Sequence, residues 1–272
     1  MPAPKVTLPA NQFDPAAAAY DAARAFPPGV GAIVAAGALA LVPGAVRWLE
    51  VGVGTGRIAQ PLARLGAAVA GVDLSAGMLA HLRAAWPEGL APLPLAQGDV
   101  VALPVATGAC DVVVAVHVLQ LLANWRAALA EMRRVLAPAG ALLLGYEWRP
   151  PASPGARLRD QWNAILVAHG GLPGTGGGQA DFGDMAAALQ ASGAALTEQA
   201  VGEWTLTRTL ARQIETIEHR TWSHSWDVPS DFFPRCLAEL RAWAAAAFGS
   251  LEAAYPVLHR FVWQRFTWPA RP

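Results

Sequence analysis

One stretch of the chain places acidic side chains around closely spaced glycines. Gly52, Gly54 and Gly56 follow an apolar run that ends at Glu50, and the next apolar run ends at Asp73. Glycine is needed where the backbone turns sharply and a ligand approaches it, because a Cβ atom would be in the way. A turn of this kind that opens a helix also presents free N–H groups to polar ligand atoms. These residues therefore predict a ligand-binding turn flanked by two carboxylates.

The spacing of the glycines separates two classes of ligand. Dinucleotide-binding turns follow the pattern G-x-G-x-x-G, whereas residues 52–56 read G-x-G-x-G. The carboxylate of Glu50 is unfavourable beside a pyrophosphate and suits an ammonium group. Asp73, at the end of the second strand, is placed to bind ribose hydroxyls in both classes. A ribose and an ammonium group without a phosphate describe S-adenosylmethionine, and a nicotinamide cofactor is the less favoured alternative.

Residues 46–148 contain the elements that must position this turn. Five short apolar segments alternate with helical patterns or turn signals, and strands that are apolar on both faces indicate a parallel sheet covered by helices. A helix is predicted over residues 125–137, because its apolar residues share one face and Pro138-Ala139-Gly140 follows. The predicted strands cover residues 46–52, 66–74, 91–99, 110–119 and 140–148.

The remaining segments favour one domain over residues 1–272 with helical additions. A helix is predicted to start at Asp14-Pro15, and a second helix to end near Leu41. Further helices are predicted near residues 182–192, 209–220 and 231–248, and strands near 195–207 and 257–268. The core is expected at about 45–147, 194–207 and 257–268, and lid or substrate elements at about 1–44, 148–193 and 208–256.

Composition argues against several classes of function. The 20 basic and 20 acidic side chains balance, so no overall field attracts nucleic acid or an anionic membrane. Cys110 and Cys236 are isolated, without the spacing of a zinc site or a disulfide scaffold. The longest apolar stretch, residues 30–42, is too short to span a bilayer, and the N-terminus lacks a secretory pattern. We therefore expect a cytoplasmic protein with a small-molecule partner and no metal.

Five motifs between residues 46 and 146 resemble, in order and spacing, those of class I S-adenosylmethionine-dependent methyltransferases. They are most similar to the small-molecule type related to ubiquinone and menaquinone biosynthesis (methyltransferase type 11-like). The resemblance implies a Rossmann-like α/β fold with a seven-stranded, mostly parallel sheet of order 3-2-1-4-5-7-6, the last strand antiparallel, helices on both faces and a helical lid. The motifs read LEVGVGTGRIA, GVDLSAGML, QGD, DVVVAVHVLQLL and EMRRVLAPAGALLL.

The same resemblance implies roles for the matching residues. Glu50, Gly52 and Gly54 would surround the methionine part of S-adenosylmethionine, and Asp73 would bind the ribose hydroxyls. His117, at the end of the fourth strand, would face the methyl group, and S-adenosylhomocysteine would be the product. The residues implied to contact the adenosine are Leu74, Met78, Val100 beside the ring, and Asp99, which would accept a hydrogen bond from the adenine amino group.

Several of these side chains have a plain structural interpretation as well. Asp73 and Asp99 could cap helices, and His117 could be a satisfied core histidine. Tyr20 and Arg24, on the first predicted helix, could cover the methionine end of the ligand or simply pack.

The acceptor pocket is expected to come from segments outside the motifs. The segment EHRTWSHSWDVP contains His219, His224 and Asp227 with two tryptophans, which could cover an apolar or cationic acceptor or pack a lid. His117 and His224 are the candidate catalytic bases, and a base is needed only where the acceptor carries a proton of high pKa. The sequence leaves open the acceptor and whether O, N, C or S is methylated. The alternatives are an NAD(P)-dependent oxidoreductase and a non-catalytic S-adenosylmethionine-binding protein.

Overall fold

The computed structural model describes residues 25–170, 182–220 and 228–269. The strands and helices in these ranges alternate along the first half of the chain, as predicted. Their bounds are α1 Val30–Leu41, β1 Arg47–Val51, α2 Ala59–Arg64, β2 Ala68–Asp73, α3 Ala76–Ala84, β3 Leu95–Gln97, β4 Cys110–Val116, a 3-10 turn Leu119–Leu121, α4 Trp125–Val135, β5 Leu136–Trp148, α5 Pro154–Ala168, α6 Phe182–Ala191, β6 Ala195–Arg208, α7 Leu210–Glu218, α8 Phe233–Phe248 and β7 Tyr255–Thr267.

The strands form one seven-stranded mixed sheet of order β3-β2-β1-β4-β5-β7-β6, which confirms the predicted order. β1 lies between β2 and β4 and pairs with both in parallel, so Glu50 lies opposite Gly71 on one side and Val114 on the other. Residues 112–116 of β4 are buried on both faces of the sheet. An apolar strand of this kind is typical of a parallel sheet covered by helices.

The junction of α4 and β5 differs from the prediction. The helix was expected to reach residue 137 and to stop at Pro138-Ala139-Gly140, but α4 ends at Val135 and β5 begins at Leu136. Cys110 pairs with Leu136 and Val112 pairs with Ala141, so only Asp111 lies opposite residues 137–140. Proline has no N–H for a sheet ladder and is tolerated at such a bulge. We call residues 137–140 the β5 bulge.

One long helix was not predicted at all. Residues 154–168 follow a segment rich in proline and arginine and form α5. Its start carries readable signals, because the Ser153 hydroxyl accepts a hydrogen bond from the Ala156 N–H and Pro154 occupies the first turn. Its apolar residues from Leu158 onward also have helical spacing, but the proline, glycine and arginine content of the segment favoured a loop instead. Its buried residues are Ala156, Leu158, Trp162, Ile165 and Leu166.

The chain divides into two compact units. Of the described residues, unit 1 comprises 25–146, 182–202 and 261–269, and unit 2 comprises 147–170, 203–220 and 228–260. The main core of unit 1 packs α4 and α6 against β1, β4 and β5. The core of unit 2 packs α5, α7 and α8 together. No helix in the described part of the chain combines the length and the apolar character that a membrane span requires.

A surface ion pair joins the starts of β1 and β4 in unit 1. Asp111 accepts hydrogen bonds from the Arg47 guanidinium at 2.6 Å and from the Arg47 backbone N–H at 2.9 Å. These bonds lower the pKa of the Asp111 carboxyl from 3.8 to about 2. Because the pKa of Asp111 is lower in the folded chain than in the unfolded chain, its ionised carboxylate stabilises the fold at pH values above the unfolded-state pKa. This stabilisation is lost as the pH falls through about 2.

We therefore expect Asp111→Asn to lower the free energy of unfolding by about 1 kcal/mol at neutral pH, a value reduced to allow for solvent screening. Urea denaturation at several pH values between about 7 and 2 checks this, because the difference between the two proteins should close as Asp111 takes up a proton. Asp160→Asn, at an exposed carboxylate, is the matched control and should have little effect. A constant difference down to the lowest pH would contradict the assigned role.

Candidate functional site

The glycine turn connects β1 to α2 and lies in unit 1. Gly52, Gly54 and Gly56 have φ values of 63°, 52° and 86°, in the left-handed region that favours glycine. The turn is held to β2 by a hydrogen bond from the Val53 N–H to the Val72 carbonyl, 3.1 Å long. It is closed by a bond from the Gly56 N–H to the Val53 carbonyl at 2.9 Å. The sequence therefore folds this segment into the tight turn that its spacing predicts.

Two glycines of the turn are needed for different reasons. A Cβ at Gly52 would lie 2.0 Å from Cγ2 of Val118, so this position is closed by the residues after β4. A Cβ at Gly54 would have nothing nearer than the Gly52 carbonyl oxygen at 4.0 Å, so this position is open. Gly52 therefore serves internal packing, and Gly54 leaves space above the turn.

Asp73 ties the turn to the end of β2. Its Oδ2 accepts a hydrogen bond from the Gly54 N–H at 2.7 Å, and its Oδ1 accepts one from the Ser75 N–H at 2.9 Å. A carboxylate is also suited to hydroxyl groups, because its oxygens only accept hydrogen bonds. The structure thus adds a role that the sequence did not predict, because Asp73 also fixes the turn.

Glu50 is buried beside the same turn, with 3% of its surface exposed. The Ala59 N–H at the start of α2 hydrogen-bonds to its carboxylate, but Oε2 has no partner among the described residues. Burial raises the pKa of Glu50 well above 4.5, and the nearby charge of Asp73 adds to this, while the Ala59 N–H and Arg57 act against it. A buried carboxylate oxygen without a partner is suited to a cationic ligand group, because an opposite charge favours its ionised form.

The residues implied to contact an adenosine follow the carboxyl ends of β2 and β3, and Met78 lies in α3. Asp99 is exposed, and its Oδ1 accepts a hydrogen bond from the Val101 N–H at 3.0 Å. Val100 and Met78 are buried, with 8% and 3% of their surface exposed. Leu74 is half-buried, and its carbonyl accepts a hydrogen bond from the Gln97 amide at 3.0 Å. These residues share the carboxyl edge of the sheet with the glycine turn.

The two candidate catalytic histidines differ in what the structure describes. His117 is half-buried and follows β4 directly, with a φ of 56° that is uncommon outside glycine. His224 lies outside the described residues, as do Trp222, Trp226, Asp227, Tyr20 and Arg24. His219 is described, and its exposed side chain lies 4.0 Å from the carboxylate of Glu215.

Sequence reasoning missed several residues that build this site. The Ser75 hydroxyl caps α3 by accepting a hydrogen bond from the Met78 N–H, and a serine just before a helical pattern is a readable cap. Val118 fills the space beside Gly52, and Arg57 contributes positive charge near Glu50. Neither contact has a sequence signal, because both depend on the three-dimensional path of the chain.

The fold and this edge of the sheet together define a class of protein. A Rossmann-like sheet of this order, with the glycine turn after β1 and an acid at the end of β2, is that of the class I S-adenosylmethionine-dependent methyltransferases. Residues 49–144 match the family model described as a methyltransferase domain. Over residues 49–144 the chain is therefore similar to the methyltransferase domains whose cofactor is S-adenosylmethionine.

Known proteins similar to this chain agree with the assignment. The demethylmenaquinone methyltransferase of Thermus thermophilus is 36% identical over 139 residues, which cover 49% of this chain and 62% of that protein. The malonyl-[acyl-carrier protein] O-methyltransferase of Methylococcus capsulatus is 32% identical over 155 residues, which cover 56% of this chain and 55% of that protein. The chain thus spans about half to two thirds of the length of these relatives.

A solved structure extends the likeness beyond the matched segment. The YcgJ protein of Bacillus subtilis superposes with a TM-score of 0.56 over 86% of this chain and 97% of its own, at 16% sequence identity. At that identity the likeness describes the fold alone.

Proposed function

We propose that this chain transfers a methyl group from S-adenosylmethionine to a small-molecule acceptor. The observation that carries the proposal is the pair of carboxylates on either side of the open position at Gly54. Oε2 of Glu50 is buried and has no partner among the described residues, and the Asp73 carboxylate accepts hydrogen bonds at the same turn, as it would from hydroxyl groups. Such a set of groups suits a ligand that combines an ammonium group with a ribose.

Each residue of the site binds a different part of that ligand. Glu50 pairs with the ammonium group, the open position at Gly54 admits the ligand close to the backbone, and Asp73 binds the ribose hydroxyls. Asp99 receives the adenine amino group. Val100, Leu74 and Met78 supply apolar contacts to the adenosine, and His117 lines the pocket near the methyl group.

Bound S-adenosylmethionine supplies a methyl group that is already activated by a sulfonium centre. The chain then contributes chiefly by holding and orienting the reactants, an effect worth up to roughly 7–11 kcal/mol in well-oriented systems. The N–H groups of the turn and the carboxylate of Asp73 are held in place by hydrogen bonds within the protein. Where the acceptor carries a proton of high pKa, His117 and His224 remain the candidate bases.

A small molecule is the acceptor that the chain's properties favour. Its basic and acidic side chains are equal in number, which gives no attraction for nucleic acid. Two relatives are named for demethylmenaquinone and for a malonyl group on an acyl carrier protein. The segments expected to form the lid and the acceptor pocket remain residues 1–44, 148–193 and 208–256, approximately.

Calorimetric titration with S-adenosylmethionine, S-adenosylhomocysteine and NAD tests the proposal. We expect saturable binding of the two adenosyl compounds at one site and no binding of NAD. Transfer of a labelled methyl group to a panel of small acceptors then tests catalysis. Binding of NAD alone would replace the proposal with a dehydrogenase function, and adenosyl binding without any transfer would favour a non-catalytic binding protein.

Asp73→Ala should weaken the binding of S-adenosylmethionine about 10- to 100-fold, because it removes hydrogen bonds to the ribose. Asp73→Asn is the matched control for the turn, since its amide oxygen still accepts a hydrogen bond from the Gly54 N–H. Calorimetry gives the affinities, and thermal unfolding shows how far the turn is disturbed. Unchanged affinity in Asp73→Ala would contradict the ribose assignment.

A further inference from the structure

A cavity of about 310 Å³ opens in unit 1 at the amino edge of the sheet, the opposite edge from the glycine turn. It is lined by residues 41–45 at the end of α1 and after it, and by the start of β4. Ala139 and Ala141 of β5 and Arg265 and Thr267 of β7 complete the lining. Small-molecule sites commonly have volumes of roughly 300–1,000 Å³. The cavity therefore has room for one small ligand.

Arg265 brings to this cavity a positive charge that has no counterion in the described part of the chain. Its guanidinium donates hydrogen bonds to the Leu41 carbonyl at 2.8 Å and to the Thr197 hydroxyl at 3.4 Å. Its buried Nε has no partner among the described residues. Because a guanidinium has five N–H donors, the described residues satisfy only two of them. The group is thus held in place from two sides and is left short of acceptors.

The other charged side chain at the cavity is already neutralised. The Asp111 carboxylate pairs with the Arg47 guanidinium at 2.6 Å and accepts hydrogen bonds from the N–H groups of Arg47 and Val46, at 2.9 and 3.2 Å. Apart from Asp111, Arg265 and Thr267, the cavity is lined by apolar residues and glycine. The cavity therefore combines one unbalanced positive charge with an apolar wall.

A second arginine of unit 1 shows how a purely structural guanidinium is satisfied. Arg134 meets the Glu131 carboxylate at 2.7 Å and donates a hydrogen bond to the Val105 carbonyl at 2.8 Å. Its charge is balanced by a carboxylate of the same domain. Arg265 has the fixed position of such a group without the carboxylate.

We propose that the cavity binds a small monocarboxylate with an apolar body, whose carboxylate pairs with Arg265. The planar fork of an arginine matches the two oxygens of a carboxylate. The apolar wall suits a short hydrocarbon chain or a ring, and it offers no further cation for a phosphate. This second site lies at the other edge of the sheet from Glu50 and Asp73, so it binds its ligand independently of S-adenosylmethionine.

Benzoate, hexanoate, benzamide and inorganic phosphate are the probes for the full chain, with calorimetric titration and thermal unfolding as the readouts. Benzamide has the shape of benzoate without its charge. We expect saturable binding of benzoate or hexanoate at one site, and the carboxylate that binds should also raise the midpoint of thermal unfolding. Benzamide and phosphate should bind at least tenfold more weakly than that carboxylate.

Arg265→Met removes the charge and keeps most of the length of the side chain, so it should weaken binding of the carboxylate at least tenfold. Arg64→Met, at an exposed arginine of α2 in unit 1, is the matched control and should leave this affinity unchanged. If Arg265→Met fails to fold, Ala139→Leu decides the matter. It changes an exposed residue of the β5 bulge and narrows the cavity while Arg265 is kept, and it should also weaken binding at least tenfold.

Titration in saturating S-adenosylhomocysteine shows which edge of the sheet binds the carboxylate. We expect its affinity to be unchanged there, because the two sites are separate. Displacement of the carboxylate by S-adenosylhomocysteine, equal binding of benzoate and benzamide, or tighter binding of phosphate would overturn the inference. Full affinity in Arg265→Met or in Ala139→Leu, or binding of neither carboxylate, would overturn it as well. A chain that binds the carboxylate but not S-adenosylhomocysteine would contradict the proposed function alone.

Discussion

Gly52→Ala is expected to lower the free energy of unfolding by about 3 kcal/mol, the largest loss from any single methyl group in the glycine turn. About 1–2 kcal/mol comes from placing an L-residue in the left-handed region, at a φ of 63°. The remainder is overpacking, because the new Cβ would lie 2.0 Å from Cγ2 of Val118. Urea denaturation measures the loss.

Other variants separate the cost of backbone strain from the cost of overpacking. Gly44 has a φ of 79°, and a Cβ added there would have nothing within 4 Å. Gly44→Ala should therefore lower the free energy of unfolding only through backbone strain, by about 1 kcal/mol. The double variant Gly52→Ala/Val118→Ala should be more stable than the sum of its single changes predicts, because the clashing methyl groups are gone. Strict additivity would show that Val118 is not the obstacle.

Gly54→Ala separates stability from binding within the same turn. Its Cβ would enter the open space above the turn, where the nearest atom is 4.0 Å away. The loss of stability should match that of Gly44→Ala, while the affinity for S-adenosylmethionine should fall at least tenfold.

Glu50→Gln has the second large expected effect and should change stability and binding in opposite directions. Because burial raises the folded-state pKa of Glu50 well above 4.5, the folded chain holds this proton more tightly than the unfolded chain. The resulting stabilisation is fully present below about 4.5 and is lost as the pH rises through the folded-state pKa. The variant removes this dependence, so it should be more stable than the native chain at high pH.

Binding should respond in the opposite sense. An ammonium group needs the ionised form of Glu50, so Glu50→Gln should weaken the binding of S-adenosylmethionine about 10- to 100-fold. In the native chain the affinity should rise with pH, and binding should release a proton into the buffer, which calorimetry in buffers of different ionisation enthalpy detects. Glu88→Gln, at an exposed carboxylate, should leave both stability and affinity unchanged. Tighter binding to Glu50→Gln would exclude the ammonium assignment.

The sheet and the residues of the glycine turn could be predicted because they depend on local pattern. Apolar runs of strand length and the helical periodicity between them were enough to predict the strands and helices of residues 46–146, and the strand order followed from the resemblance of five motifs to a known family. The closing strand was predicted near residues 257–268 and is β7, Tyr255–Thr267. Predicting the strands and helices themselves needs no knowledge of which distant residues meet.

The parts that escaped prediction depend on contacts between distant residues or on local signals that were mixed. Helix α5 was missed because the proline, glycine and arginine content after Trp148 favoured a loop, although its apolar residues have helical spacing. The closure of Gly52 by Val118 and the pairing of His259 with Glu147 join residues that are 66 and 112 positions apart in the chain. Neither contact can be predicted from the composition of a single segment.

The β5 bulge has a consequence for how this domain tolerates changes in length. Residues 137–140 lie opposite one residue of β4, so they are outside the regular ladder. The pairing that resumes at Ala141 is fixed by Val112 and continues to Gly145 opposite Val116. Insertions or deletions within the bulge can therefore be absorbed there, without reversing which side chains of residues 141–145 point to each face of the sheet. A change in chain length at the start of β5 therefore leaves unchanged the carboxyl edge of the sheet, where the candidate site lies.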